Sequence, residues 1–341
     1  MRRRLALAVA AVAVLGACSG DVSLPSAIEA PTTAATTAAT TTSLPPDTSG
    51  CVDDPKSADY NATRSYEPGP LPSPGAMPAG STMATIFENG KLRVGVSADT
   101  LLFGYRNPLS GTIEGFDIDM LTYVAQAIFG GTHDEARARL DVKVITYAQR
   151  LPSLQSGAVD LVAHTMTINC RRWQQIAFSS EYLAAGQRVL VKSGSGFTGI
   201  DSLVAAKATV CAPEGSTNLD ELSKPEYSGL ELIVRPDITD CLVAMQQGEA
   251  DAASGDDTVL AGFAAQDPTT EVVGDRFTFE PYGIGVNADQ RDLVELVNGV
   301  LEQVRTNGDW KASYERWLVP TLTKDAADIP APPAAQYERG S

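Results

Sequence analysis

Two threonines and an arginine form the first group of residues in this sequence that could bind an anion. Thr165 and Thr167 follow a short apolar run at residues 159–162, and Arg172 lies five residues after Thr167. Because an arginine presents a planar fork that matches a carboxylate, hydroxyls at a strand end followed by a guanidinium predict an anion clamp. A second interpretation stays open, in which the threonines cap a helix and Arg172 is a solvated surface charge.

A second candidate for anion binding is the run Gly215-Ser216-Thr217, which follows the apolar segment at residues 208–212. A glycine followed by hydroxyls at the start of a helix presents free backbone N–H groups to an anion. The alternative is that the same three residues only form a capping turn.

These residues must be positioned by an α/β fold, because apolar strands alternate with amphipathic helices along the chain. The predicted strands lie at residues 91–96, 141–146, 159–162, 188–192, 208–212, 231–235, 250–254 and 281–287. The predicted helices lie at residues 117–129, 151–157, 217–223, 239–248, 257–265 and 289–305, with a last helix that carries Trp310.

The order of these elements predicts two α/β lobes joined by two hinge strands. Lobe 1 is expected to comprise residues 84–189 and 283–320, and lobe 2 residues 190–282. Ligands of open α/β sheets bind at the carboxyl ends of the parallel strands, so the ligand cleft is expected between the lobes.

The N-terminus has the pattern of a bacterial lipoprotein signal. Three arginines at positions 2–4 precede an apolar run at residues 5–15, and small residues lead to Cys18. This pattern predicts a signal peptide over residues 1–17, and the sequence LGAC resembles a lipobox in which Cys18 is acylated. The protein is then expected on the extracytoplasmic face of the cell membrane, held by its lipid anchor. An ordinary cleaved signal with an unrelated cysteine is the alternative.

Two segments have the composition of disordered chain. Residues 18–83 comprise the acylated cysteine and a linker rich in Thr, Ala, Pro, Gly and Ser, and residues 321–341 form a tail rich in Pro and Ala. Segments of this composition bury too little apolar surface to offset the entropy of ordering.

Composition excludes some classes of partner. The net charge of −16 argues against a nucleic acid partner, because neutralising phosphates requires a basic face. No Cys-x-x-Cys motif and no Cys/His spacing typical of zinc is present, and the two histidines are His133 and His164. No metal or other cofactor is predicted.

Four cysteines remain after Cys18, and an even number in an exported protein favours disulfides with three possible connectivities. We hypothesise that Cys211 pairs with Cys241, because one ends a strand and the other begins the helix after the neighbouring strand. Cys51 and Cys170 are then the remaining pair.

The first clamp resembles a known family. The order of a small residue, Thr167, Arg172 and the pair Phe178-Ser179 is similar to the first ligand-binding segment of the polar amino acid-binding periplasmic proteins of ABC importers. The resemblance extends over roughly residues 85–320. It implies the type II periplasmic-binding-protein fold, a free amino acid as ligand, an ABC transporter permease as partner and action as a monomer.

The resemblance also implies roles for individual residues. Arg172 with Thr167 would bind the α-carboxylate of the ligand, and Asp256 would bind its ammonium group. Arg150 occupies the position at which relatives selective for aspartate and glutamate carry an arginine towards the distal carboxylate. The predicted ligand-binding residues are Ser97, Thr100, Tyr147, Arg150, His164, Thr165, Thr167, Arg172, Ser216, Thr217 and Asp256.

Some of these assignments have alternatives. Ser97 and Thr100 stand where many relatives place a charged residue and an aromatic lid, and Tyr147 would replace that lid. His164 is either a donor to the ligand or a hydrogen-bonded core histidine, with the core favoured. Arg150 is either a ligand contact or a surface charge at a helix start.

The predicted function is a membrane-anchored binding lipoprotein that captures glutamate, aspartate, glutamine or asparagine by hinge closure and delivers it to an ABC permease. An alternative is an amino acid sensor coupled to a membrane signalling protein. A less favoured alternative is a dehydratase or peptidoglycan-acting enzyme on the same fold, with Asp256 and His164 as an acid–base pair. No enzyme is expected, because the sequence has no Gly-x-Ser-x-Gly, His-Glu-x-x-His or nucleotide-binding loop.

Overall fold

The computed structural model describes residues 50–323 and 326–339. Its strands are β1 (Leu92–Val96), β2 (Asp99–Thr100), β3 (Gly104–Arg106), β4 (Ile113–Glu114), β5 (Leu140–Val144), β6 (Leu161–Val162), β7 (Ala177–Phe178), β8 (Leu183–Ala185), β9 (Gln187–Lys192), β10 (Thr209–Pro213), β11 (Glu231–Arg235), β12 (Ala252–Asp256), β13 (Thr270–Val273), β14 (Glu280–Tyr282) and β15 (Gly285–Val286). Its helices are α1 (Thr82–Asn89), α2 (Phe116–Phe129), α3 (His133–Arg137), α4 (Arg150–Gln155), α5 (Cys170–Trp173), α6 (Ile200–Ala206), α7 (Thr217–Leu222), α8 (Ile238–Gln247), α9 (Asp257–Gln266), α10 (Arg291–Asn307), α11 (Asp309–Trp317) and α12 (Val319–Leu322). Short 3₁₀ turns lie at Tyr147–Gln149, Pro225–Tyr227 and Ala326–Asp328.

Lobe 1 is built on a five-stranded sheet in the order β5-β1-β6-β15-β7. β1 pairs in parallel with β5 and β6, whereas β15 is antiparallel to β6 and β7. Apolar residues of α10 recur every three or four positions, so that one face of the helix is buried. This buried face contains the positions expected from the sequence, namely Leu293, Leu296, Val297, Val300, Leu301 and Val304.

Lobe 2 contains a second five-stranded sheet in the order β11-β10-β12-β9-β13. β10 is parallel to β11 and β12, and β9 runs antiparallel to β12 and β13. Gly215-Ser216-Thr217 lies just after the carboxyl end of β10, and Asp256 is the last residue of β12. Residues far apart in the sequence are therefore presented at one edge of the sheet.

Two antiparallel strands connect the lobes. β8 pairs with β14, with Leu183 opposite Tyr282 and Ala185 opposite Glu280. The predicted crossing at residues 189–190 lies inside β9, which belongs to the lobe 2 sheet along its whole length from Gln187 to Lys192. The crossing therefore occurs a few residues earlier than expected, and the prediction of two lobes with two hinge strands is confirmed.

The N-terminal segment (residues 50–81) differs from the disordered linker expected there. It has no regular strand, yet Ala62, Ser65 and Tyr66 are buried against lobe 1. The Trp173 indole N–H donates to the Ala62 carbonyl at 2.9 Å, and the Ser65 hydroxyl donates to the Phe178 carbonyl at 2.7 Å. Composition missed this order because backbone carbonyls and single side chains, rather than a periodic apolar face, fix the segment.

The C-terminal segment (residues 329–339) also differs from the expected disorder. The Ser65 amide donates to the Gln336 carbonyl at 2.9 Å. The Arg339 guanidinium lies 3.7 Å from the centroid of the Trp173 ring and donates to the Arg64 carbonyl at 2.7 Å. The two terminal segments therefore hold each other against α5.

Both hypothesised disulfides are present, Cys51–Cys170 and Cys211–Cys241. The first joins the N-terminal segment to the first residue of α5, and the second joins β10 to α8. Among the described residues, no helix is both long and apolar enough to cross a bilayer. The signal peptide, the lipobox at Cys18 and the linker before residue 50 lie outside the described residues.

Candidate functional site

Two buried arginines converge on one backbone carbonyl between the lobes. Arg150 and Arg172 of lobe 1 donate from Nη2 to the Gly215 carbonyl of lobe 2, at 3.1 Å and 3.2 Å. The two side chains are only 1% and 2% exposed. Burial and the neighbouring Arg150 lower the pKa of Arg172 to about 9, which still leaves it charged at neutral pH. Burial likewise lowers the pKa of Arg150.

Arg172 is held by a short helix whose first turn is capped. The Asn169 side chain accepts from the Arg172 amide at 2.8 Å, and Arg172 Nη1 donates to the Thr167 carbonyl at 2.7 Å. The Asp53 carboxylate accepts from the Cys170 amide at 2.8 Å, beside the Cys51–Cys170 disulfide. The interpretation of Arg172 as a solvated surface charge is therefore wrong.

Arg150 lies against the wall formed by Tyr147. Its guanidinium carbon is 4.4 Å from the centroid of the Tyr147 ring, and Nε donates to the Tyr147 carbonyl at 3.0 Å. Nη1 donates to the carbonyls of His164 at 3.1 Å and Thr165 at 3.4 Å. The interpretation of Arg150 as a surface charge is also wrong.

Neither arginine forms a salt bridge with an acidic side chain of the described residues. The hydrogen bonds of both guanidinium groups go to backbone carbonyls, and no salt bridge among the described residues includes either of them. A buried charge without an ion pair is costly, so this part of the cleft favours an anion.

Asp256 lies on the other side of the same interface. Its carboxylate accepts from the Asn218 amide at 2.8 Å and from the Tyr282 hydroxyl at 2.6 Å. Burial and the nearby Glu280 carboxylate raise the pKa of Asp256 to about 7. A cation placed next to this group would favour its ionised form.

Glu280, at the start of β14, joins the hydroxyls of both lobes. Its Oε2 accepts from the Thr167 hydroxyl at 2.6 Å and from the Thr217 hydroxyl at 2.7 Å. Its Oε1 accepts from the Thr278 hydroxyl at 2.6 Å. Glu280, Thr167 and Thr217 also line a cavity of 760 Å³ that extends to the N-terminal segment.

Thr165 has a left-handed backbone, with φ of 43°. Such a conformation is strained for a β-branched residue and is held by its surroundings. The Asp117 carboxylate accepts from the Thr165 amide at 2.9 Å and from the Tyr182 hydroxyl at 2.6 Å. Burial raises the pKa of Asp117 to about 6. This arrangement turns the chain between the strand end and Thr167.

The structure gives other predicted site residues different roles. The Ser216 hydroxyl donates to the Pro213 carbonyl at 2.7 Å and accepts from the Leu219 amide at 3.0 Å, so its side chain caps α7. Ser97 and Thr100 are buried and hydrogen-bond each other at 2.9 Å in the turn after β1. The capping interpretation of the Gly215-Ser216-Thr217 run therefore holds for the Ser216 side chain.

His164 is a core residue of lobe 1. Its Nε2 lies 3.1 Å from the Ile145 carbonyl oxygen, and its ring packs at 71° to the Tyr147 ring with centroids 4.8 Å apart. Burial and Arg150 lower the pKa of His164 to about 3, so the ring is neutral at physiological pH. These contacts do not pair it with Asp256, as the enzyme alternative requires.

Other contacts close the lobes on each other. The Thr167 and Thr217 hydroxyl oxygens are 3.3 Å apart, and Arg171 of lobe 1 forms a salt bridge with Asp220 of lobe 2. Gly215 has φ of 72°, and a Cβ atom there would lie 2.9 Å from Ala148 Cα. Only glycine therefore allows this backbone approach without a shift.

The sequence did not single out Asp117, Asn218, Glu280 or Tyr282 as site residues. Asp117 and Glu280 each offered a signal, because each is a charged residue placed directly at the start of a buried element. The sequence offered no signal for Asn218 and Tyr282, because their roles depend on hydrogen bonds to Asp256 that form only in the folded protein.

Cys51, Asp53 and Cys170 present ligand atoms within 4.8 Å of one another. Both sulfurs are joined in a disulfide and cannot act as thiolate ligands. This cluster is therefore not a metal centre in the oxidised protein.

Comparisons with known proteins agree with this geometry. The sequence model of the bacterial extracellular solute-binding proteins, family 3, matches residues 92–320. The chain is 37% identical over 239 residues to the ABC transporter glutamine-binding protein GlnH of Bacillus subtilis, covering 70% of this chain and 84% of that protein. It is 28% identical over 253 residues to the glutamate-binding protein GluB of Corynebacterium efficiens, covering 72% of this chain and 84% of GluB. It is also 28% identical over 252 residues to the glutamate/aspartate import solute-binding protein of Salmonella typhimurium, covering 72% of this chain and 82% of that protein.

A solved structure shares the fold. The P235GK mutant of ArgBP from T. maritima superposes with a TM-score of 0.62 at 30% sequence identity, covering 69% of this chain and 98% of that structure. The expected type II two-lobed fold is confirmed by this likeness.

The raised pKa of Asp256 predicts how stability changes with pH. The folded protein holds a proton on Asp256 up to about pH 7, whereas in the unfolded chain the carboxyl has its ordinary pKa of 3.8 and releases the proton near that pH. This group therefore stabilises the fold less as pH rises from 4 to 7, with a slope of up to about 1.4 kcal/mol per pH unit. In the Asp256→Asn variant this contribution should disappear.

Chemical denaturation at pH 5, 6 and 7 measures the effect as the difference in unfolding free energy between wild type and variant. The Asp257→Asn variant, which removes the adjacent carboxylate that pairs with Arg276, controls for general charge effects. Parallel pH profiles for wild type and Asp256→Asn would contradict the assignment.

Proposed function

Because the chain belongs to the bacterial extracellular solute-binding proteins of family 3, we propose that it binds a free polar or acidic amino acid between its lobes. The observation that carries the proposal is a pair of buried arginines, opposite the buried Asp256, that form no salt bridge within the part of the chain that the structure describes. Positive groups on one side and a carboxylate on the other match the separated charges of an α-amino acid. The glutamine- and glutamate-binding relatives support this ligand class.

The ligand would be recognised at three positions. Arg172 binds the α-carboxylate, because its guanidinium lies at the lobe interface, where it donates to the Gly215 carbonyl of lobe 2. Asp256 binds the ammonium group, and Arg150 binds the distal carboxylate or amide of the side chain. A second anion at Arg150 would receive a bidentate, charge-assisted pair, so glutamate or aspartate is expected to bind at least as well as glutamine or asparagine.

Binding would favour closure of the hinge. Arg150 and Arg172 belong to lobe 1, whereas Thr217 and Asp256 belong to lobe 2, and the lobes are joined by β8 and β14. A ligand that contacts both sets is bound more tightly in the closed state, which shifts the equilibrium towards it. The closed protein then presents the loaded form to an ABC permease. The same closure would serve a sensor that reports to a membrane signalling protein.

The enzyme alternative gains little from the geometry. Its acid–base pair would need His164 near Asp256, and the His164 ring is instead engaged by Ile145 and Tyr147. The recovery of an unchanged amino acid after incubation with the protein would support binding without turnover.

Substitution of Arg172 or Asp256, which are proposed to bind the carboxylate and ammonium groups common to all α-amino acids, should lower the affinity for every ligand to a similar extent. Arg172→Ala or Asp256→Asn leaves a ligand charge unpaired in a closed cleft, which costs about 2–5 kcal/mol, or at least roughly 30-fold in affinity. Calorimetric titration of wild type and variants with the twenty amino acids measures this loss. Arg235→Ala, which removes a surface guanidinium that pairs with Glu249 within lobe 2, is the control. Loss of one ligand with the others unaffected would refute these roles.

Arg150 should determine selectivity between acids and amides. Arg150→Met keeps the apolar stem and removes the fork, so glutamate and aspartate should lose roughly tenfold or more in affinity relative to glutamine and asparagine. Arg171→Met is the control, because its salt bridge with Asp220 crosses the lobes and should change all ligands equally. An unchanged ratio of acid to amide affinity, measured at one ionic strength, would remove Arg150 from the site.

We further propose that Cys18 anchors the protein to the membrane through its acyl chains, supported by the charged apolar leader and the LGAC sequence. In cells that express Cys18→Ala, the protein should leave the membrane fraction or accumulate as an uncleaved precursor. Fractionation and intact mass measure this outcome. Normal processing, mass and membrane association of the variant would exclude the anchor.

A further inference from the structure

Glu280 accepts hydrogen bonds from two threonines at the lobe interface. Its carboxylate accepts from Thr167 of lobe 1 and Thr217 of lobe 2, at 2.6 Å and 2.7 Å on the same oxygen, Oε2. It is 3% exposed, and no salt bridge among the described residues includes it. Its carboxylate accepts hydrogen bonds from the hydroxyls of Thr167, Thr217 and Thr278.

A hydroxyl has one proton to donate and two lone pairs that accept. Thr167 and Thr217 both donate their proton to Glu280, so each has only lone pairs left for any other partner. Their oxygens lie 3.3 Å apart and line the same cavity. Two oxygens that only accept suit an N–H donor such as an ammonium group, and they disfavour a carboxylate or carbonyl oxygen.

The direction of these hydrogen bonds bears on the expected role of Thr167. The family resemblance placed its hydroxyl beside Arg172 as part of a carboxylate clamp. In the structure Arg172 Nη1 contacts the Thr167 backbone carbonyl, while the hydroxyl proton points to Glu280. The Thr167 side chain therefore belongs with Asp256 on the acceptor side of the cleft, and the arginines form the donor side.

We propose that Glu280 is a positioning residue that fixes the hydroxyls of Thr167 and Thr217 as acceptors and so orients the ligand. The ammonium group is directed to these oxygens and Asp256, and the carboxylates are directed to Arg150 and Arg172. This inference rests on the proposed function, because it assumes an amino acid in the cleft. According to this proposal, Glu280 of the hinge strand makes the cleft distinguish an amino group from an oxygen at the α-carbon of the ligand.

The test compares L-glutamate with 2-oxoglutarate, which replaces the ammonium group by a carbonyl that can only accept. Both ligands keep the two carboxylates that the arginines would bind. In Glu280→Gln the side-chain amide can donate to the threonine oxygens, which frees their protons to point into the cleft. The preference for L-glutamate over 2-oxoglutarate should then fall by roughly tenfold or more, because the hydroxyls can donate to the carbonyl.

A double-mutant cycle separates positioning from a simple loss of charge. Thr167→Val removes the hydroxyl with little change in shape. If Glu280 acts through that hydroxyl, Glu280→Gln should change the preference much less in the Thr167→Val background than in wild type. Additive effects would indicate that Glu280 acts on the ligand by its charge alone, and they would overturn the proposal. Thr167→Ser, which restores a hydroxyl, should recover most of the preference lost in Thr167→Val, whether or not Glu280→Gln folds.

The control is Glu221→Gln, because Glu221 lines the same cavity and pairs with Lys224 outside the hydroxyl network. All titrations use the full chain, and circular dichroism checks that each variant is folded. If wild type binds L-glutamate and Glu280→Gln keeps the full preference over 2-oxoglutarate, the role of Glu280 is refuted and the proposed function stands. If wild type binds none of the amino acids, both are refuted.

Discussion

The carbonyl oxygen of Gly215 accepts hydrogen bonds from two guanidinium groups that the lobe interface removes from water. Backbone carbonyls satisfy the N–H donors of Arg150 and Arg172 but do not neutralise their charge. Two like charges held this close in a dry cleft oppose each other, and a bound anion would relieve both. Gly215 has a positive φ and no Cβ, so its backbone can lie against Ala148 while its carbonyl accepts from both arginines.

Two acidic side chains, Asp256 and Glu280, form the side of the cleft opposite the arginines. Asp256 ends β12 and Glu280 begins β14, so one acid is placed by the lobe 2 sheet and the other by the connecting strand. Tyr282, two residues after Glu280, donates to Asp256, which ties the hinge strand to the predicted ammonium site. A change in hinge angle would therefore alter the hydrogen bonds of both acids, and this links ligand contact to closure.

The segments outside the two sheets support the same site. The N-terminal segment is joined to α5 by the Cys51–Cys170 disulfide and by the Asp53 carboxylate. Arg339 of the C-terminal segment covers the ring of Trp173, the last residue of α5. A four-residue helix has little stability of its own, so these contacts fix the position of Arg172. The N-terminal segment is thus attached to the helix that carries Arg172, the residue proposed to bind the α-carboxylate.

The sequence by itself predicted the two α/β lobes and most of the strands and helices, because hydrophobic periodicity is a local property. Residue spacing pointed to Thr167 and Arg172 as candidates, and the family resemblance pointed to Arg150 and Asp256. The sequence marked Glu280 and Asp117 only as charged residues at the start of buried elements, and it did not identify their partners or the order in residues 50–81. Those depend on hydrogen bonds between residues more than forty positions apart, for example 113 between Thr167 and Glu280. Only the tertiary structure decided which hydroxyls donate, because the direction of a hydrogen bond is set by the neighbour that folding brings to it.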